Sequence, residues 1–153
     1  MFDARRLPAF LLAILVLLSF ALPLAAQARQ MVSAVRDEVN LRSGPGSRYE
    51  TAWVVSRGYP LEVLARRGAW LRVRDFENDR AWVLSSRTKR TPHHIVTASV
   101  ANLRSTPSTR GRIVGKARYG EVLRTLQRRG EWVKVRLARG TTGWVARRLL
   151  WGW

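Results

Sequence analysis

The 153-residue chain contains no cysteine, only two histidines and only ten acidic residues. The missing thiols exclude a disulfide scaffold, Cys-ligated zinc, iron–sulfur clusters, thiol catalysis and a lipid-anchored N-terminal Cys. Two His and ten carboxylates leave few ligands for metal chemistry, and neither a metal nor a cofactor is expected. No apolar run is long either: the longest, Ala9–Leu22, has 14 residues, short of the ~20 that span a bilayer. What the chain does have is 28 Lys plus Arg, 25 of them Arg, for a formal net charge of +18. Such a balance points to an anionic partner, whether nucleic acid, acidic lipid or a cell-wall polyanion, and a GC-rich coding bias is an alternative source of the arginines. At 46% hydrophobic residues the chain can fold, as one ordinary domain or two small ones.

Residues 1–28 read as a secretory signal peptide. Arg5-Arg6 forms the charged head, Ala9–Leu22 the apolar stretch, and Ala26-Gln27-Ala28 an A-x-A cleavage pattern. Cleavage after Ala28 leaves residues 29–153 as an exported, periplasmic or extracellular protein with no transmembrane span. Retention of the segment as an anchor is the alternative. The remaining chain carries 26 basic and nine acidic residues.

That remainder is one unit written twice. Asn40-Leu41-Arg42-Ser43 recurs as Asn102-Leu103-Arg104-Ser105 at an offset of 62, and the same offset carries Arg66-Arg67-Gly68 onto Arg128-Arg129-Gly130 and Trp82-Val83 onto Trp144-Val145. Between 39–87 and 101–149, 17 of 49 positions are identical without a gap. A tandem duplication is therefore expected, with units at 29–87 and 95–153 and a linker over 88–94. Each unit reads as β: short apolar runs such as Leu61-Glu62-Val63-Leu64 are broken by Gly, Pro, Ser and Asn. About five strands in ~60 residues fit a small curled barrel rather than two stacked sheets. Units this small bury only about 60% of their unfolded surface, so packing of one against the other is expected.

The segments Val39-Asn40-Leu41-Arg42-Ser43-Gly44-Pro45-Gly46, Gly68-Ala69-Trp70 and Ala81-Trp82-Val83 resemble the bacterial SH3-like domain, whose pattern is V-N-x-R-S-G-P-G, G-x-W and G-W-V. The likeness covers roughly residues 36–151. It implies an all-β chain of two tandem small SH3-like β-barrels after an N-terminal signal peptide. Such modules are similar to cell-wall-targeting domains, which bind peptidoglycan or its peptides and are usually fused to hydrolases. The second unit departs from the pattern, with Ser105-Thr106-Pro107-Ser108 in place of S-G-P-G, so a differently shaped loop is expected there.

Period-2 alternation in Trp70-Leu71-Arg72-Val73-Arg74 puts Leu71 and Val73 on one face and Trp70, Arg72 and Arg74 on the other. The second unit repeats this with Trp132, Lys134 and Arg136 outward. A Trp in phase with cations suits stacking on a sugar or peptide; equally, each Trp could fold over the barrel end. Trp82 and Trp144 are expected opposite the core-filling Val83 and Val145, in a structural role. Trp53 and Tyr49 have no counterparts, since Gly115 and Gly111 occupy their places; either ligand contact or a joint-covering role fits Trp53. Asn40 and Asn102 are expected to satisfy local backbone, Arg42 and Arg104 to be partly exposed, His93-His94 to lie in the linker, and Glu77 and Asp79 to form a solvated turn. No Ser lies in a G-x-S-x-G context and no phosphate-loop glycine motif occurs.

The expected function is thus a non-catalytic exported binding module of the cell envelope, engaging peptidoglycan or its peptides. The candidate ligand-binding residues are Trp70, Arg72, Arg74, Trp132, Lys134, Arg136, Tyr49 and Trp53. The rivals are a periplasmic protein–protein interaction or assembly protein, with an envelope protein as partner, and a salt-sensitive polyanion binder. Nucleic acid is disfavoured by export and by the lack of a defined motif. Oligomeric state is left open. The charge itself is uneven: residues 39–87 carry nine basic and five acidic side chains, residues 101–149 thirteen and two.

Overall fold

A computed structural model describes residues 28–153, so the expected signal segment lies, but for Ala28, outside the described residues. In the first half, β1 (Met31–Ala34), β2 (Val39–Arg42), β3 (Thr51–Val55), β4 (Pro60–Arg67), β5 (Trp70–Arg74), β6 (Arg80–Leu84) and β7 (Thr88–Lys89) form one sheet. In the second, β8 (His93–Val96), β9 (Val100–Arg104), β10 (Ile113–Arg118), β11 (Val122–Arg129), β12 (Trp132–Arg136), β13 (Thr142–Ala146) and β14 (Leu150–Gly152) form another. One 3₁₀ turn, Ser85–Arg87 or Arg147–Leu149, precedes the last strand of each.

The strand orders are β3-β2-β6-β5-β4-β1-β7 and β10-β9-β13-β12-β11-β8-β14, the same topology twice. Every pairing described is antiparallel. Even the irregularities repeat: the register of β4 on β5 shifts between Val63 and Ala65, and that of β11 on β12 between Thr125 and Gln127, 62 residues later. The two sheets make the pair of all-β units that the repeat implied.

Alternation builds each core. Leu41, Leu61, Leu71, Val73 and Val83 are buried in the first unit, and their equivalents Leu103, Leu123, Val133, Val135 and Val145 in the second. Burying a side chain of this size stabilises by roughly 1.5–3 kcal/mol. Position 75 breaks the correspondence. Asp75 is buried and shapes the β5–β6 hairpin, its Oδ1 accepting the N–H groups of Glu77 (3.0 Å) and Asp79 (2.9 Å). Its equivalent Leu137 fills the second core.

The duplication extends further than shared residues reveal. Met31-Val32-Ser33-Ala34 and His93-His94-Ile95-Val96 have no identity, yet they form the equivalent strands β1 and β8. Thr88–Lys89 pairs with β1, and His93 and His94 open β8. Of the residues expected as linker, only 90–92 lie between the sheets.

These two strands also make the joint. All eight of their residues are buried, although a strand on one barrel wall should bury only alternate positions. Val32 and Ala34 serve the first core and Val96 the second, whereas Met31 and Ile95 belong to neither. Their outward faces are covered by the joint. There the Nδ1–H of His93 donates to Thr91 O (2.9 Å) and lies 3.1 Å from Ser33 Oγ, which itself donates to Thr91 O (2.8 Å). A second contact places the Phe76 ring edge-on to Tyr119 with centroids 5.4 Å apart, while Tyr119 donates to Glu77 Oε1 (2.7 Å).

Candidate functional site

The outer wall of each barrel carries the aromatic–cation pattern. Leu71 and Val73 are buried, Arg72 is exposed, and Trp70 and Arg74 are half-buried; on β12, Val133 and Val135 are buried, Arg136 is exposed, and Trp132 and Lys134 are half-buried. Trp82 joins the same wall, because Ala81 and Val83 on either side of it point inward. Its cross-strand mates are Arg72 on β5 and Arg42 on β2. In the second barrel Trp144 sits between Lys134 and Arg104, with the ammonium 6.0 Å from its ring centroid. Each of these Trp rings thus lies between two cations on neighbouring strands. Trp144 is only 8% exposed, so its ring packs rather than presents a face.

The four cations on β5 and β12 have different surroundings. Arg74 is tied to Glu62 through an ion pair, with its Nε 3.1 Å from Glu62 Oε2, and to Asn78 Oδ1 at 3.2 Å. Arg136 faces Arg124 where Arg74 faces Glu62. Arg72 and Lys134 flank Trp82 and Trp144.

Tyr49 and Trp53 have structural surroundings. Trp53 stands opposite Leu41 and packs on the first core. Tyr49 closes the β2–β3 loop: its ring occupies the space beside Gly44 and Gly46, and Arg48 lies 5.4 Å over it. The loop of the second barrel, expected to differ, keeps the same frame. Ser43 N–H donates to Glu50 O (3.0 Å) and Tyr49 N–H to Gly46 O (3.3 Å); Ser105 and Gly111 repeat both bonds to Arg112 O (2.8 Å) and Ser108 O (3.0 Å). The physical reason is a reciprocal exchange. Gly44 and Tyr49 become Thr106 and Gly111, and a Cβ at Gly111 would come 2.5 Å from Thr106 Oγ1. The residues tying each loop are Arg42, donating to Tyr49 O (2.7 Å), and Arg104, donating to Gly111 O (2.9 Å). The task expected of Asn40 and Asn102 thus falls to their arginine neighbours.

Trp70 lines a cleft of about 200 Å³ with Arg36, Asn40, Arg42, Leu84 and Arg87. Strand alternation could have found Leu84, two residues beyond Trp82; Arg36 and Arg87 lie outside the long strands, where no periodicity marks them. A larger cleft of about 570 Å³ beside the joint gathers Trp151, Trp153, Arg29, Arg128, Arg147 and Arg148. Arg29 lies 6.0 Å over the Trp151 ring. Its back wall includes His94, whose Nε2–H donates to Trp153 O (2.6 Å) while Nδ1 accepts from Thr125 Oγ1 (2.6 Å). Burial pushes the His94 imidazole down to about 4, and nearby Arg128 and Arg147 act in the same direction. No sequence signal marks this cleft, because it draws on both halves of the chain.

Among the described residues no helix is long and apolar enough to cross a membrane. The chain is 27% identical over 139 residues, covering 84% of its length, to a Bacillus subtilis (strain 168) protein named "Putative N-acetylmuramoyl-L-alanine amidase YrvJ". It spans only about a quarter (26%) of that relative. Among solved structures it is similar to NlpC2 from Trichomonas vaginalis (14% identity, 82% of this chain, 48% of that one, TM-score 0.37). It is likewise similar to an NlpC/P60 family protein from Bacillus cereus ATCC 10987 (14%, 80% and 56%, TM-score 0.38). Two bacterial SH3 domain models match, one at residues 35–89 and the other at residues 99–150. With one match on each seven-stranded sheet, the chain belongs to the bacterial SH3 domain family and carries two such domains in tandem.

Proposed function

We propose that this protein is a non-catalytic, exported binding module of the cell envelope that engages peptidoglycan or its peptides. The observation that carries this reading is the Trp70 cleft, an aromatic wall with Arg36, Arg42 and Arg87 around it. Such a pairing stacks a sugar ring or peptide plane while the guanidiniums hold its carboxylates. The family and the cell-wall amidase named above support the envelope as the setting. The A-x-A pattern at Ala26-Gln27-Ala28 supports export.

In this reading Trp70 is the contact in the first barrel, with Arg72 two residues along the same strand face, and Trp132 and Lys134 form the corresponding contact in the second. The test is co-sedimentation with purified sacculi at about 0.15 M salt, where exposed charges are screened beyond ~8 Å. Folded protein should pellet with sacculi, and Trp70→Ala should weaken binding about tenfold, with Trp132→Ala showing whether both barrels bind. Folded protein that stays in the supernatant overturns the reading in favour of an assembly role.

A further inference from the structure

The sharpest departure between the two barrels is a row of side chains across three strands. In the first barrel the row runs Met31–Glu62–Arg74, on β1, β4 and β5, and contains an ion pair. In the second it runs His93–Arg124–Arg136, on β8, β11 and β12. Arg124 and Arg136 are exposed and directly opposite, on strands about 4.8 Å apart. Like charges in that relation destabilise a sheet, and neither guanidinium has an ion-pair partner among the described residues.

Packing of the barrels brings a third guanidinium to the same place. Arg57, from the β3–β4 turn of the first barrel, lines with Arg124, Arg136 and His93 a cleft of about 590 Å³. Two carboxylates share it, and both are engaged. Asp37 Oδ1 accepts the backbone N–H of Arg57 (2.9 Å). Glu121 accepts the N–H of Arg118 (3.1 Å) and lies 3.4 Å from Arg139 Nη1.

We propose that this inter-barrel cleft is a phosphate-binding site, with Arg124 and Arg136 as the principal ligands and Arg57 closing it from the other barrel. The ligand is a phosphate rather than a carboxylate because three unpaired guanidiniums match a group carrying more than one negative charge. Arginine forks also bind phosphate oxygens bidentately. The site exists only where the two barrels meet, and it stands apart from the Trp70 cleft.

Inorganic pyrophosphate titrated into the full chain at fixed ionic strength tests this, read by calorimetry. Pyrophosphate should bind saturably at one site, and acetate at matched ionic strength should give no saturable heat. Arg136→Gln should weaken pyrophosphate binding about tenfold, the loss expected when a charge-assisted hydrogen bond is removed. Arg124→Glu should abolish it while raising the unfolding midpoint, because a carboxylate opposite Arg136 recreates the Glu62–Arg74 pair. A double Arg66→Gln, Arg67→Gln variant removes two charges from a distant hairpin and should change affinity less than twofold. Equal losses from the hairpin variant, or saturable acetate binding, would overturn the site in favour of diffuse charge. Retained affinity in Arg124→Glu would overturn it outright. Phosphatidic acid vesicles and soluble glycerol 3-phosphate, each against wild type and Arg136→Gln, then distinguish a lipid headgroup from a soluble phosphate monoester as the source of the phosphate.

Discussion

Gly58 and Gly120 occupy the same turn of the two barrels, at φ +81° and +76°, and their surroundings differ completely. A Cβ on Gly120 would meet nothing within 4 Å, whereas one on Gly58 would lie 2.7 Å from His93 Cδ2 and 2.8 Å from its Nε2. Backbone geometry requires glycine at both positions, since left-handed φ disfavours any Cβ. Only at Gly58 does the second barrel also press on the turn. The duplicated unit keeps its fold, and the joint imposes a further demand on one copy alone.

The largest predicted effect tests that asymmetry. Gly120→Ala should cost about 1 kcal/mol, the strain of left-handed backbone. Gly58→Ala should cost about 2–4 kcal/mol, adding an overpacking penalty of ~1–3 kcal/mol where the ring of His93 must move. Denaturant unfolding of each variant measures both. In a His93→Ala background the extra cost at Gly58 should vanish, a double-mutant cycle that isolates the joint. Equal losses at the two glycines would show that the barrels do not press together there.

The next effect is pH-dependent and belongs to the second barrel. His94 occupies the place that Val32 holds in the first, and Thr125 the place of Val63. Its folded imidazole is pushed down to about 4 from the ordinary 6.5. Between those values the unfolded chain binds a proton that the folded chain does not. Stability from this group is therefore complete above about pH 6.5 and is lost as pH falls towards 4. The loss is at most about 3 kcal/mol by the size of the shift. His93 is shifted down too, first by burial and then by Arg124 and Lys89, and adds in the same direction. Unfolding midpoints from pH 7 to pH 4 should fall in the wild type, and fall less in a His94→Val, Thr125→Val variant that copies the first barrel. An unchanged slope in that variant would remove His94 from the account.

The barrels were legible in the sequence because small β units announce themselves through alternation. Leu71 and Val73, then Val133 and Val135, point inward as their spacing requires, and glycines mark the turns. The first strand of each unit was not legible. Met31-Val32-Ser33-Ala34 and His93-His94-Ile95-Val96 are buried on both faces, so neither shows a period of two. Between them they contain two imidazoles that look polar until Thr125 and the Trp153 carbonyl are seen to satisfy one of them. The candidate site divides in the same way. Trp70 and its cations could be found on a strand face, whereas the Trp151–Trp153 cleft and the Arg57–Arg124–Arg136 cleft need residues from both halves. Charge counting located the excess in the second barrel, and only strand register shows that Arg124 replaces the acid that pairs with Arg74.

The smallest effect concerns the loops, where the copies differ in residue and agree in shape. In the first barrel the Tyr49 ring fills the space a side chain at position 44 would need; in the second, Thr106 fills the space a side chain at 111 would need. A large residue at one position thus requires a glycine at the other. Gly44→Thr alone should destabilise the first barrel by about 1 kcal/mol, since Tyr49 must swing out and its packing is lost while the half-exposed loop can partly relax. Tyr49→Gly alone should cost a similar amount through lost contact and added chain freedom. Together they reproduce the second barrel's pair, and the combined loss should be smaller than the sum of the two. The frame that makes this possible is the Arg42 bond to the carbonyl of residue 49, which any residue there can accept. If the two losses simply add, the exchange between the copies is coincidental rather than compensatory. Recovery in the double variant would mean that the loop's shape is set by its arginine tie and its backbone bonds, with Gly44-Pro45-Gly46 only one of the sequences that fit.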